Sequence, residues 1–203
     1  MNLDNLEHRK TWAALAVVAL LVAGCGDVPP PGPSRIDVDT PKLQEMKAAV
    51  GIEDCEAGPG GGSLPALTLP CLGGGTSVDL SSLTGPMVIN LWASNCGPCR
   101  EEMPALQEFH ERYGDQVAVL GIDFLDLYPE AAISLAELTG ATYPSVADPG
   151  GDLQDQDGLR LSGGLPQFIL LDAEGEVAHQ SAGGIVSVDE VVAMVEEHLD
   201  VQL

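Results

Sequence analysis

One stretch constrains the whole chain: Trp92-Ala93-Ser94-Asn95-Cys96-Gly97-Pro98-Cys99-Arg100-Glu101-Glu102-Met103-Pro104. Ahead of it runs Pro86-Met87-Val88-Ile89-Asn90-Leu91, apolar and partly β-branched, as in a buried strand. Behind it, Leu106, Phe109 and Tyr113 recur at i, i+3 and i+7, one face of a helix. Cys99 and Glu102 extend that stripe backwards. Cys96 therefore falls where a strand hands over to a helix N-terminus. Pro98 falls in the first turn, where a missing N–H costs nothing.

The position has chemical consequences. Free N–H groups and the helix dipole favour negative charge at that end. A thiol there ionises more readily, and the thiolate is the reactive form. Cys99, one turn on, can close a disulfide with it. The pair reads as a dithiol that opens and closes: Cys96 attacks and Cys99 resolves the mixed disulfide. A zinc half-site is the competing reading, but zinc needs two further ligands. The sequence has no second Cys-x-x-Cys, and His8, His110, His179 and His198 are scattered. No metal and no cofactor is expected.

The N-terminus supplies a different signal. His8-Arg9-Lys10 is a short basic region, and Thr11 to Val22 is almost wholly apolar. A membrane-spanning helix needs about 20 such residues, so the shorter run reads as a signal-peptide core over 1–24. It ends in Leu21-Val22-Ala23-Gly24-Cys25. Small residues before a cysteine resemble the bacterial lipobox, and by that resemblance Cys25 is lipidated. An ordinary signal peptide with a chance cysteine is the alternative. Residues 25–41 are Pro-rich and read as an extended, semi-rigid tether. Residues 42–203 then form the globular part with an N-terminal extension, and no further hydrophobic span follows.

Charge narrows the partners. The chain carries a formal −23, and residues 1–24 are neutral in sum, so the remainder carries all of it. Such a surface repels nucleic acid and anionic headgroups. Nucleic acid is not an expected partner.

The cysteines number five, and the odd one is Cys25. Cys55 and Cys71 are 15 residues apart in the intervening sequence. In an oxidising compartment a structural bridge is the natural reading. It is worth about 3 kcal/mol in the chain-entropy model. A second redox pair is the alternative, although neither cysteine sits at a visible helix N-terminus.

The remaining pattern is alternating. Leu43, Met46 and Val50 suggest a short helix ending at Gly51. Strands are expected at Leu64–Leu69, Ser77–Leu80 and Val117–Phe124. A helix is expected at Pro129–Leu138 and a short strand at Tyr143–Ala147. Gly163-Gly164-Leu165-Pro166 leads into another strand and a hairpin through Asp172–Gly175. Val188, Val191, Val192, Val195 and Leu199 mark a closing helix.

That order, with Cys-Gly-Pro-Cys after the first central strand, resembles the thioredoxin fold. More narrowly, Trp92-Ala-Ser-x-Cys96-Gly-Pro-Cys99-Arg-x-Glu102-x-Pro104 and Gly164-Leu165-Pro166 resemble the TlpA/ResA group of membrane-anchored thiol–disulfide oxidoreductases. The resemblance covers about residues 62–200. It implies an α/β fold, a central mixed sheet flanked by helices. It also implies that Pro166 is a cis-proline facing the active-site disulfide, aiming the Leu165 backbone at substrate. Asn95 departs from the pattern, since the group usually has a bulky residue before the first cysteine.

Glu102 lies on the apolar stripe, where a hydrophobe is expected. A buried carboxyl has a raised pKa and can relay the proton that Cys99 must lose. The competing reading is a first-turn Glu opposing the helix dipole, a role that Glu101 suits better.

The sequence thus points to an extracytoplasmic, lipid-anchored, monomeric disulfide reductase of the cell membrane. Cys96, Cys99, Glu102 and Pro166 are its expected site. Its expected partners are disulfide-containing proteins, apocytochrome c among them, and a membrane thiol donor. A peroxiredoxin-like protein would need Thr where Ala93 stands. A copper chaperone of the related type would need Cys-x3-Cys. A redox-inert binding lipoprotein is the non-enzyme alternative.

Overall fold

The computed structural model describes residues 36–161 and 163–203. The expected signal peptide over 1–24, Cys25 and the expected tether as far as residue 35 lie outside them. Four helices are described: α1 (Pro41–Val50), α2 (Gly97–Tyr113), α3 (Pro129–Thr139) and α4 (Val188–His198). Strands are β1 (Thr68–Leu69), β2 (Val78–Asp79), β3 (Met87–Trp92), β4 (Ala118–Phe124), β5 (Ser145–Asp148), β6 (Gln167–Leu171) and β7 (Val177–Ala182).

Five strands form one mixed sheet in the order β5-β4-β3-β6-β7. β4 runs parallel to β3, and β5 parallel to β4. β6 is antiparallel to β3 and β7 antiparallel to β6. This is the thioredoxin arrangement that the element order implied. β3 is central and lies in register with both Asp123 of β4 (at Trp92) and Gln167 of β6 (at Leu91).

Side-chain alternation along β3 divides the interior in two. Val88 and Trp92 join α2, α3 and α4 in one apolar cluster with Leu106, Phe109, Ile133 and Val191. Ile89 and Leu91 face the other way, into a cluster with Leu69, Val78, Ile122, Cys55 and Cys71. Both faces of the central strands are covered, which is why they read as continuous apolar runs.

Three elements differ from their sequence patterns. The strand expected at Leu64–Leu69 is only Thr68–Leu69. Pro65 cannot donate to a ladder, and its carbonyl instead accepts the Leu67 N–H at 2.8 Å in a tight turn. The short β-strand expected at Tyr143 begins at Ser145, after Pro144. Helix α1 starts at a Thr40 cap, whose Oγ1 accepts the Leu43 N–H, and ends at Gly51 in the left-handed region. Its fully buried residues are Leu43 and Lys47, with Met46 and Val50 partly buried against the same core; Lys47 is drawn inward by partners beyond the helix. The closing helix is capped by Ser187, whose Oγ accepts the Glu190 N–H.

Candidate active site

β3 ends at Trp92, and three residues carry the chain to Cys96. Cys96 is the N-cap of α2, in extended backbone at φ −89° and ψ 110°. Its Sγ accepts the Cys99 N–H at 3.1 Å. One otherwise free donor of the first turn is thus spent on the sulfur itself. Gly97 and Pro98 complete that turn, so proline stands where its missing N–H leaves nothing unpaired.

Cys96 and Cys99 are joined as a disulfide with Cα atoms 5.3 Å apart. Cys96 is half-buried, whereas Cys99 is 0% exposed. Only one of the two sulfurs is open to an incoming group. The asymmetry follows from helix geometry, because position 99 lies on the inward stripe.

Glu102 lies on that same stripe, three residues on from Cys99, and is fully buried. Asn90 of β3 donates its Nδ2 hydrogen to Glu102 Oε1 at 2.8 Å. Oε2 has no hydrogen-bond partner among the described residues. Burial pushes the Glu102 carboxyl up to about 8, and Asn90 and then the Ile185 backbone offset this only in part. At neutral pH it is mostly a protonated acid, with an ordinary thiol's affinity for the proton within about a unit. Tyr143, also buried, has a phenol raised by burial and by the charge of Glu102, so it stays neutral.

The loop between β3 and α2 is held from the loop that follows β4. Asp126 Oδ2 accepts the Ser94 N–H at 2.6 Å, and its Oδ1 accepts the Tyr128 N–H at 2.9 Å. Asp123 is buried beside it, and burial followed by the Asp126 charge raises its carboxyl well above the usual range. Across the sheet, Gly163 and Gly164 lead to Pro166 with φ of 104° and 86°, conformations that favour glycine. The Leu165–Pro166 bond is cis. Leu165 and Cys96 both pack, half-buried, against the helix-side core.

Among the predicted site residues, Cys96, Cys99 and Glu102 share one helix face, with Leu165 against the same core. Cys25 lies outside the described residues. Cys55 and Cys71 are bonded to each other, Cα atoms 5.8 Å apart, in the cluster on the other face of the sheet. Sequence reasoning missed Asn90, Asp123 and Asp126. The first two carry a readable signal: each is one polar residue inside an otherwise apolar strand. Asp126 carries none, since an acid in a loop is ordinary.

Residues 61–180 match the AhpC/TSA family profile. The chain belongs to the AhpC/TSA family. Within this AhpC/TSA chain the similarity is of the ResA/TlpA kind. It is 30% identical to the thiol-disulfide oxidoreductase ResA of Halalkalibacterium halodurans, over 62% of this chain and 68% of that protein. It is 33% identical to the thiol:disulfide interchange protein DsbE of Pseudomonas fluorescens, over 65% and 70% respectively. Among solved structures, a putative DsbE from Chlorobium tepidum superimposes with a TM-score of 0.55 at 27% identity, covering 66% of this chain and 93% of that one. A secreted thiol-disulfide isomerase from Corynebacterium glutamicum gives 0.57 at 27%, covering 64% and 81%. The AhpC/TSA match leaves Ala93, 2% exposed, where a peroxiredoxin-like site would need Thr.

Proposed function

We propose that this protein is an extracytoplasmic thiol–disulfide oxidoreductase that reduces disulfides in secreted proteins. The observation that carries the reading is the asymmetric pair at the start of α2. A half-exposed Cys96 caps the helix, and a buried Cys99 stands behind it on the same face as a buried Glu102.

The Cys96 thiolate attacks one sulfur of the substrate disulfide. A bond forms to Cys96 Sγ, the substrate S–S bond breaks, and one substrate thiolate leaves. In the fraction of molecules whose Glu102 is ionised, Cys99 then gives its proton to that carboxylate and attacks Cys96 Sγ. The mixed disulfide breaks, the second substrate thiolate leaves, and the Cys96–Cys99 disulfide remains. Two electrons pass from enzyme to substrate, and a thiol carrier in the membrane restores the dithiol. Pro166 sets the edge on which the substrate chain lies, with the Leu165 backbone aimed at substrate. Apocytochrome c is one substrate of the right class. Cys25 supplies the lipid anchor, with 25–41 as tether, and the domain works as a monomer.

The reducing direction rests on Gly97-Pro98, the dipeptide of thioredoxin, whose potential is about −270 mV. Equilibration of Cys96/Cys99 with a dithiothreitol buffer tests it. A potential near that of thioredoxin is expected, and one near the −120 mV or so of a strong oxidant overturns the direction. Absence of insulin reduction altogether overturns the enzyme reading. For the anchor, Cys25→Ser should release the protein from membranes with dithiol activity unchanged. Wild-type protein that fractionates as soluble and unlipidated removes that part.

A further inference from the structure

Lys47 lies in α1 with its side chain only 7% exposed. A buried lysine requires partners for its ammonium hydrogens. It has three: Asp54 Oδ1 at 2.8 Å, the Gly74 carbonyl at 2.9 Å and Cys71 Sγ at 3.4 Å. Two are oxygens. The third is a disulfide sulfur, a weak acceptor for a full positive charge. Asp54 is 86% exposed, so water screens much of its attraction. Lys47's hydrogen bond and charge hold the Asp54 carboxyl below its usual range.

The other sulfur has the opposite neighbour. Cys55 Sγ lies 3.2 Å from the Ser145 carbonyl oxygen, which can only accept. A carbonyl at that distance favours S–H and opposes a thiolate. Neither neighbour distinguishes the two ends of a neutral disulfide strongly. Both distinguish them strongly once the bond opens.

We propose that Cys55–Cys71 is a second redox couple, polarised by Lys47, whose reduced form is a Cys71 thiolate paired with the ammonium and a Cys55 thiol donating to Ser145. The reductant is a dithiol carrying one thiolate and one thiol. Its thiolate attacks Cys55 Sγ, the Cys55–Cys71 bond breaks, and the electron pair leaves on Cys71 beside Lys47. The second thiol of the reductant then attacks the mixed disulfide. The reductant departs as a disulfide, and its proton ends on Cys55. A lower-pKa thiol is the better leaving group, so the polarity follows from the surroundings. Stabilising the reduced form also makes the couple more oxidising than the same bridge without the cation.

The surroundings make exchange slow, and it requires a local opening of the segments around the bridge. Cys55 is 3% and Cys71 1% exposed. A cleft of about 500 Å³ is lined by Lys47, with Glu53 and Asp54 on one wall and Gly73 to Gly75 on the other, and it stops short of both cysteines. These two walls are the segments that the bridge joins. Gly75 borders Lys47 and Cys71 with φ of 114°, a conformation that favours glycine.

The test uses the full chain with Cys25→Ser, Cys96→Ala and Cys99→Ala, leaving this pair alone. Reduction is equilibrated against dithiothreitol and read by alkylation and mass spectrometry. Lys47→Gln should shift the equilibrium toward the disulfide by about tenfold or more, within the range by which a neighbouring cation alters thiol ionisation. Lys47→Arg should stay near the parent. A smaller shift in Lys47→Gln overturns the proposal, because a lysine that only supports the fold affects both redox states alike. A second measurement adds Cys55→Ala and follows thiolate absorbance near 240 nm. With Lys47 in place Cys71 should be mainly thiolate at pH 7, and mainly thiol overturns the proposal even if Lys47→Gln fails to fold.

Discussion

The two disulfides occupy opposite faces of one sheet, and their surroundings differ in kind. Cys96–Cys99 stands at a helix N-cap, where a backbone N–H at 3.1 Å meets a half-exposed sulfur. Cys55–Cys71 is enclosed, with a side-chain ammonium on one sulfur and a carbonyl on the other. At the first, secondary structure supplies the polarity and access supplies the reactivity. At the second, a tertiary contact supplies the polarity, and burial withholds access. Identical bonds thus acquire different duties from backbone dipoles in one case and a point charge in the other.

The largest effect that separates the two comes from cysteine removal. Cys96→Ser should abolish insulin reduction, while Cys55→Ala with Cys71→Ala should keep most of it and lose about 3 kcal/mol of stability. Urea titration reads the second and turnover reads the first. Comparable loss of turnover in both would erase the division of labour.

Next comes the second step at the helix site. Glu102→Gln should leave attack by Cys96 nearly intact and slow resolution by about 10²-fold, the low end for general-base help. Stopped-flow with a fluorescent disulfide should then show a burst followed by slow release, with a Cys96 mixed disulfide accumulating. The wild-type resolution rate should climb toward pH 8 as Glu102 ionises, and that limb should vanish in the variant. Unchanged release leaves Glu102 without a role in proton transfer.

The smallest effect is on stability against pH. Glu102 titrates near 8 when folded and near 4.3 in an unfolded chain. Between those values the folded state holds the extra proton, so stability falls as pH rises. The penalty is absent below the lower value and complete above the upper one. From pH 5 to pH 7 it should be about 2.5 kcal/mol, by the linkage slope of one proton. Asp123 and Asp148 are shifted the same way, burial being the leading cause in each. The measurement is therefore the difference in urea midpoint slopes between wild type and Glu102→Gln. Parallel profiles would contradict the buried carboxyl.

What was legible in the sequence follows the reach of each interaction. The handover from β3 to α2 is local, so Cys96, Pro98 and the inward stripe could be read directly. The sheet followed from the order of apolar runs. Glu102 was visible as a polar residue on an apolar stripe, but its partner Asn90 lies twelve positions back across a strand-to-helix turn. Lys47 was invisible for a similar reason. Periodicity placed Met46 and Val50 on the core side of α1, where they are partly buried, but it gave no sign that Asp54, Cys71 and Gly74 also draw Lys47 inward. Leu64–Leu69 read as a full strand because apolar alternation outweighed Pro65 in the pattern.

The alternation along β3 also makes one strand the shared reference frame of both disulfide regions. Asn90 reaches Glu102 on one side, while Ile89 and Leu91 line the cluster holding Cys55 and Cys71 on the other. Even and odd positions of six residues thus encode two chemistries. A single inserted residue ahead of Asn90 would invert that parity. It would turn an amide toward the bridge and a hydrocarbon toward the buried acid. Mutational drift can alter either region alone through side chains, but a length change in this strand rewrites both at once.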